Sequence, residues 1–129
     1  MKAALSLAAL LALFAFAEAP AASANGGPTT CVGLHMRRGT DTITAEGRLT
    51  RQGGAYCYRL SARAGQTLTW SLRGPATRQV ITYPDGHADG PGIPGSIPLP
   101  QTGSYLFTVS PNLMAEGAYG RFWLTLTIH

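Results

Sequence analysis

The chain has 129 residues, 45% of them hydrophobic and 12% charged, with a formal net charge of +4 at pH 7. The positive excess is small and scattered, with Arg37-Arg38 as its single adjacent basic pair, so the composition argues against nucleic-acid binding. The histidines His35, His87 and His129 are far apart, and none stands in a recognisable nucleophile motif, which argues against an enzyme.

The first 24 residues are organised as an export signal. Lys2 supplies a positive charge, residues 3–17 are apolar throughout, and Ala22-Ser23-Ala24 fits the small-residue rule for signal peptidase. The apolar run is shorter than the ~20 residues that span a bilayer, so we expect no membrane span in the mature protein. The sequence thus predicts a signal peptide over 1–24 and one domain over 25–129, in a periplasmic or secreted protein. An uncleaved N-terminal anchor is the alternative.

The charge of the mature chain comes from arginine. Cleavage removes Lys2 and Glu18 and leaves nine arginines against five acidic residues. Arginine binds carboxylates and phosphates bidentately and stacks on aromatic rings. The excess is consistent with an acidic protein partner, a wall polymer or a lipid headgroup, or simply with a solvated surface.

Two cysteines, Cys31 and Cys57, follow the signal. In an exported protein two cysteines are expected to pair, and this pair would close a loop of roughly 25 residues, worth about 3 kcal/mol of stability. No Cys-x-x-Cys motif is present, so we expect the bridge to be structural. It would join the N-terminal strand to the strand that contains Cys57.

Apolar and polar residues alternate with period two in the middle of the chain. Residues 56–62 and 66–72 each alternate and are joined by Arg63-Ala64-Gly65, a pattern that predicts a half-buried β-hairpin. Weaker strands are expected over 32–38, 40–45 and 47–50.

The alternation recurs towards the C-terminus. Strands are predicted at 79–83, 105–109 and 121–128, with a short edge strand at 96–97 in a proline-rich connection. The last strand places Phe122, Leu124, Leu126 and Ile128 on one face. Since no helical periodicity is found after the signal, the sequence predicts an all-β fold: an antiparallel sandwich or jelly roll of seven to eight strands.

Several short motifs follow one another in a fixed order. They are Tyr56-Cys57-Tyr58-Arg59-Leu60, Ala64-Gly65-Gln66, Leu68 to Leu72, Pro84-Asp85-Gly86, Leu99-Pro100-Gln101-Thr102-Gly103-Ser104-Tyr105 and Phe122-Trp123-Leu124-Thr125-Leu126. In this order, from about residue 47 to the C-terminus, they resemble the bacterial pre-peptidase C-terminal domain. The resemblance implies a small secreted β-sandwich.

As a domain behind its own signal, the chain is similar to the periplasmic inhibitors of g-type lysozyme. The similarity rests on Arg38-Gly39, on the turn from Ala62 to Leu68, and on the Leu99–Tyr105 motif. It implies inhibition of a muramidase by loops that block its cleft, without covalent chemistry.

The loop Asp85-Gly86-His87-Ala88-Asp89 brings two carboxylates and an imidazole together in sequence. Such groups can hold calcium or zinc, but calcium needs six or more oxygens and few other acidic residues are available. We expect a polar turn here, with neither a metal nor a cofactor.

Candidate partner-binding residues lie at three places. Trp123, which alternates outward, and Arg121 can stack on a sugar or a partner, or be covered by the chain itself. Thr102-Gly103-Ser104-Tyr105 resembles the short Ser-Gly-x-Tyr loop of other lysozyme inhibitors, with a plain hairpin whose tyrosine is in the core as the alternative. Leu113 and Met114 on the following loop would be apolar anchors.

These features predict a non-enzymatic exported binding protein, and most concretely an inhibitor of a lysozyme. One alternative is a carbohydrate- or cell-wall-binding module with Trp123 as its platform. Another is a structural envelope protein without a dedicated ligand.

Overall fold

Nine β-strands form two sheets within residues 30–37 and 39–129, the part of the chain that this computed structural model describes. The strands, β1 to β9 in chain order, are Val32–Gly33, Thr42–Leu49, Tyr56–Ala62, Gln66–Arg73, Thr77–Thr82, Ala88–Asp89, Ser96–Leu99, Gly103–Pro111 and Gly120–Ile128. The described residues contain no helix, which confirms the all-β fold. The predicted signal peptide over 1–24 lies outside them. No helix among them is long and apolar enough to span a bilayer.

The two sheets pack face to face as a sandwich. One has five strands in the order β1-β3-β8-β5-β6, and the other has four in the order β2-β9-β4-β7. Strand β1 runs parallel to β3, and the other hydrogen-bonded neighbours are antiparallel. Apart from β5 and β6, neighbouring strands in the sheets are not consecutive in the sequence, as in the predicted sandwich or jelly roll.

The predicted hairpin of residues 56–72 is wrong. Strand β3 pairs with β1 and β8 in one sheet, while β4 pairs with β7 and β9 in the other. The turn Arg63-Ala64-Gly65 therefore crosses from one sheet to the other. Alternation assigns the inward face of a strand, but it does not identify the hydrogen-bonded neighbour.

The core lies between the sheets and is built from the alternating residues of both. All four inward residues predicted for β9 are buried, as are Tyr105, Phe107 and Val109 of β8. Burial also raises the pKa of Tyr58 to about 12. The weak strands predicted at 40–45 and 47–50 are one continuous strand, β2, and the first predicted strand is reduced to Val32–Gly33.

A disulfide joins Cys31 to Cys57, as predicted. Cys57 is buried in β3, and the next residues after Cys31 form β1, which pairs with β3 at Val32↔Tyr58. The bridge thus holds the two-residue β1 at the edge of the five-stranded sheet.

Candidate functional site

The candidate binding residues lie at opposite ends of the sandwich. Strand β8 begins at Gly103 and ends at Pro111, and its nine residues separate its ends by roughly 25 Å. Thr102 and Ser104 therefore lie at one end, while Leu113 and Met114 lie at the other. The four do not form one surface.

A tight turn presents Leu113 and Met114 to solvent. The Asn112 carboxamide oxygen accepts a hydrogen bond from the Met114 N–H at 3.1 Å, and its carbonyl accepts one from the Ala115 N–H. The Asn112 N–H in turn donates to the carbonyl of Ala76, which fixes the loop to the β4–β5 connection. Leu113 is 69% exposed and Met114 89% exposed, so this anchored loop ends in apolar side chains.

A third exposed apolar residue, Tyr119, stands beside this turn. Tyr119 is 39% exposed, and the guanidinium carbon of Arg51 lies 5.4 Å from its ring centre. Together with Leu113, both residues line a surface depression of about 320 Å³. We call Arg51, Leu113, Met114 and Tyr119 the tip patch. Aromatic residues, methionine and arginine are enriched at the centres of protein interfaces, and the tip patch has this composition.

The opposite end carries a polar network around Asp85. Its carboxylate accepts hydrogen bonds from the His87 N–H at 3.0 Å and from the Gln101 side-chain amide at 3.0 Å, and it lies 2.6 Å from His87 Nδ1. These contacts, the His87 N–H first, lower the pKa of Asp85 to about 2. The Tyr105 hydroxyl donates to the carbonyl of Gln101 at 2.6 Å. Because Tyr105 is only 1% exposed, it supports this turn from the core and presents no ring to a partner.

Asp89 takes no part in the hydrogen bonds between Asp85, His87 and Gln101. Its carboxylate accepts a hydrogen bond from the Tyr83 hydroxyl at 3.0 Å, and the Tyr83 ring stacks on His87 with centres 4.1 Å apart. Burial, followed by the contact with Asp89, raises the pKa of Tyr83. Within residues 30–37 and 39–129, no three histidine, cysteine or acidic side chains form a group able to hold a metal ion.

Trp123 lies on the outer face of the four-stranded sheet, as its alternation predicts. It is half-buried, and the guanidinium carbons of Arg73 and Arg121 lie 5.3 and 5.7 Å from its ring centre. Glu46 is its register partner on β2, and Arg73 is its register partner on β4. Among the described residues, two arginine side chains thus lie over the indole.

Solved structures with this fold include inhibitors of lysozyme. The structure is similar to Aeromonas hydrophila PliG, a periplasmic lysozyme inhibitor of g-type lysozyme, with a TM-score of 0.63 and 24% identity over 78% of this chain and 96% of that one. Salmonella Typhimurium PliG, also a periplasmic lysozyme inhibitor of g-type lysozyme, gives a TM-score of 0.61 at 17% identity, covering 79% of this chain and 100% of that one.

A pre-peptidase C-terminal domain, from a collagenase of Bacillus anthracis, also matches. Its TM-score is 0.56 at 12% identity, over 80% of this chain and 100% of that domain. No protein-family model and no curated protein sequence matches the chain. At these identities the comparisons establish the fold that the sequence motifs predicted, and they establish no activity.

The sequence predicted some of the residues of the tip patch and some of those around Trp123. It singled out Leu113, Met114, Arg121 and Trp123 but missed Tyr119, Arg51 and Arg73. Tyr119 has the same outward parity as Arg121 and Trp123 in the alternating pattern, and this was a sequence signal for an exposed aromatic residue. The two arginines carry no local signal, because their aromatic partners are 68 and 50 positions away in the sequence.

Proposed function

We propose that this protein is an exported, non-enzymatic inhibitor of a lysozyme, and that its tip patch docks in or over the enzyme's cleft. The observation that carries the proposal is the tip patch itself. Among the described residues, four large hydrophobic side chains are exposed, and three of them, Leu113, Met114 and Tyr119, stand together on one loop. Contiguous exposed apolar residues of this kind mark interaction sites.

The chemistry of the patch suits a glycoside hydrolase cleft. Such enzymes generally carry two carboxylates beside the scissile bond. Arg51 contributes a guanidinium at the edge of the apolar residues, and the net charge of the chain is positive. A basic rim approaching an acidic cleft accelerates association and orients the partner. Steric blocking needs no further group, so neither a nucleophile nor a cofactor has a part in this function.

The fold supports the same proposal. The PliG proteins, which share this fold, are periplasmic inhibitors of g-type lysozyme. The Cys31–Cys57 disulfide is consistent with export, since disulfides persist in oxidising compartments. We therefore place the mature protein in the periplasm or outside the cell.

A binding experiment tests the proposal. Mature, oxidised protein is titrated calorimetrically into g-, c- and i-type lysozymes, each alone and each saturated with an oligosaccharide that occupies the cleft. We expect one-to-one binding to at least one lysozyme type, and we expect the oligosaccharide to abolish it. Binding unaffected by the oligosaccharide would exclude the cleft as the docking site, and no binding to any lysozyme would exclude the function.

A further inference from the structure

The outer face of the four-stranded sheet is a second surface with a composition unlike that of the tip patch. Its central strand, β9, presents Arg121, Trp123, Thr125 and Thr127, and register sets the neighbours of each on β2 and β4. We call this surface the outer face of β9. It is polar, and Trp123 is its sole aromatic residue among the described positions.

Two guanidinium groups are held at one end of this face by the indole of Trp123. Both lie within 6 Å of its ring centre, a geometry that stabilises cations. Among the described residues, Arg73 makes neither a hydrogen bond nor an ion pair through its side chain. The contact of Arg121 with Glu46 is long, at 3.7 Å, and both side chains are exposed. The guanidinium N–H groups of both arginines are therefore positioned and available to a ligand. Their planar arrangement matches the two oxygens of a carboxylate.

Beyond the arginines, the outer face of β9 carries two rows of hydroxyl groups. Thr44, Thr125 and Ser71 occupy one row of the register, and the next row consists of Thr42, Thr127 and Thr69. The Thr42 and Thr127 hydroxyls share a hydrogen bond at 3.0 Å. The strands that carry these hydroxyls are spaced about 4.8 Å apart, and the two-residue repeat along each strand separates the rows by about 6.8 Å.

The arginines and hydroxyl rows of the outer face of β9 favour some classes of ligand over others. Protein hot spots are enriched in tryptophan and arginine but lie in closely packed, desolvated pockets, whereas here one half-buried indole borders rows of small hydroxyl side chains. Arg48, Arg73 and Arg121 stand against a single acidic residue, Glu46, so the face is basic. Yet the charges occupy only one end, unlike the extended basic stripe of a nucleic-acid site. Carboxylates at the arginines and hydroxyls along the threonine rows are the complementary groups.

We propose that the outer face of β9 binds an anionic glycan, a polysaccharide that carries carboxylates. Arg73 and Arg121 bind its carboxylate groups, and the rows through Thr125 and Thr127 hydrogen-bond its hydroxyls. The site shares no residue with the tip patch, so its occupation does not require lysozyme binding. An inhibitor with such a face would be retained on acidic polysaccharide while its tip patch engages an enzyme.

The test uses polygalacturonate as the probe, with uncharged dextran and a single-stranded DNA oligonucleotide as comparisons. Affinity electrophoresis measures the binding of the mature protein and of Arg73→Gln, Arg121→Gln and the control Arg63→Gln. Arg63 is an exposed arginine of the β3–β4 turn at the other end of the sandwich, so the control removes the same charge elsewhere. Thermal unfolding checks that each variant is folded.

We expect polygalacturonate to bind and dextran to bind far more weakly. Arg73→Gln and Arg121→Gln should each weaken polygalacturonate binding about tenfold, with less than a twofold effect of Arg63→Gln. Arg73→Gln should still inhibit lysozyme, which separates this proposal from the preceding one. Equal losses in all three variants, equal binding of the DNA, equal binding of dextran, or no binding of polygalacturonate would overturn the proposal.

Discussion

The guanidinium carbon of Arg51 lies 5.4 Å from the ring centre of Tyr119. The contact joins the β2–β3 loop to the loop that precedes β9, and Arg51 lines the same surface depression as Tyr119 and Leu113. Since cation–π contacts at exposed sites are worth about 0.5–1 kcal/mol, the pair positions the ring more than it stabilises the fold. The tip patch can therefore be altered without unfolding the protein.

Replacement of the two loop-tip residues should weaken inhibition strongly while leaving stability unchanged. Leu113→Ser together with Met114→Ser removes apolar anchors that are largely exposed in the free protein. If they are the hot spot, the inhibition constant should rise about thirtyfold or more. The matched control is Val32→Ser, since Val32 is 58% exposed on the edge of the five-stranded sheet. An inhibition constant that stays the same in the double variant would remove the tip patch from the interface.

Removal of the disulfide should destabilise the fold measurably. The double variant Cys31→Ala and Cys57→Ala opens a link between residues 26 apart in sequence. Loop-closure entropy predicts a loss of about 3 kcal/mol in the free energy of unfolding, measured by urea denaturation. The reduced wild-type protein is the control and should lose a similar amount. A loss below about 0.5 kcal/mol would show that β1 contributes little constraint.

Gly47 should not tolerate a side chain, although it lies in a regular strand. A Cβ atom there would come within 2.6 Å of the Phe122 ring and 2.8 Å of the Tyr56 ring. Neither ring can yield readily, because Phe122 is fully buried and the Tyr56 hydroxyl exchanges hydrogen bonds with the Arg48 backbone. Overpacking of this kind predicts a cost of about 1–3 kcal/mol for Gly47→Ala.

The control for this substitution is Gly95→Ala. A Cβ atom at Gly95 would meet only the Trp70 carbonyl oxygen, at 3.6 Å, which is an ordinary contact. We expect a change within about 0.5 kcal/mol in the same denaturation experiment. Equal effects of the two alanines would contradict the role of the aromatic contacts.

Acid should weaken the end of the sandwich that contains Asp85. Hydrogen bonds, first from the His87 N–H and then from Gln101, lower its pKa from 3.8 to about 2 in the folded protein. A group whose folded pKa is depressed contributes stability above its unfolded pKa and loses it as the pH falls through the folded pKa. The stabilisation is thus complete above about pH 4 and disappears towards pH 2.

The variant Asp85→Asn tests this prediction. Its melting temperature at pH 6 should be lower than that of the wild type, and the difference should shrink between pH 4 and pH 2. Melting curves followed by circular dichroism over this range provide the measurement. A difference that is constant with pH would show that the carboxylate charge is not what stabilises the turn.

The inward and outward faces of the strands could be predicted from sequence because they depend on local backbone geometry alone. Side chains alternate with period two whatever strand lies alongside, so Phe122 and Leu124 were assigned correctly to the core. The neighbour of each strand depends instead on long-range packing, and the pairing predicted for β3 and β4 was wrong for that reason. The prediction of the surface residues was incomplete for the same reason. Arg73, for example, is brought next to Trp123 only by the register of β4 on β9.

The most direct test of the central claim is a cell-wall lysis assay. Mature, oxidised protein is titrated against a fixed amount of g-type lysozyme, and in parallel against c- and i-type enzymes, while the turbidity of a wall suspension is followed. We predict that inhibition of at least one type reaches completion near one equivalent, and that the inhibition constant rises about thirtyfold or more in the Leu113→Ser and Met114→Ser double variant. Undiminished lysis by all three enzymes at micromolar protein would contradict the inhibitor function.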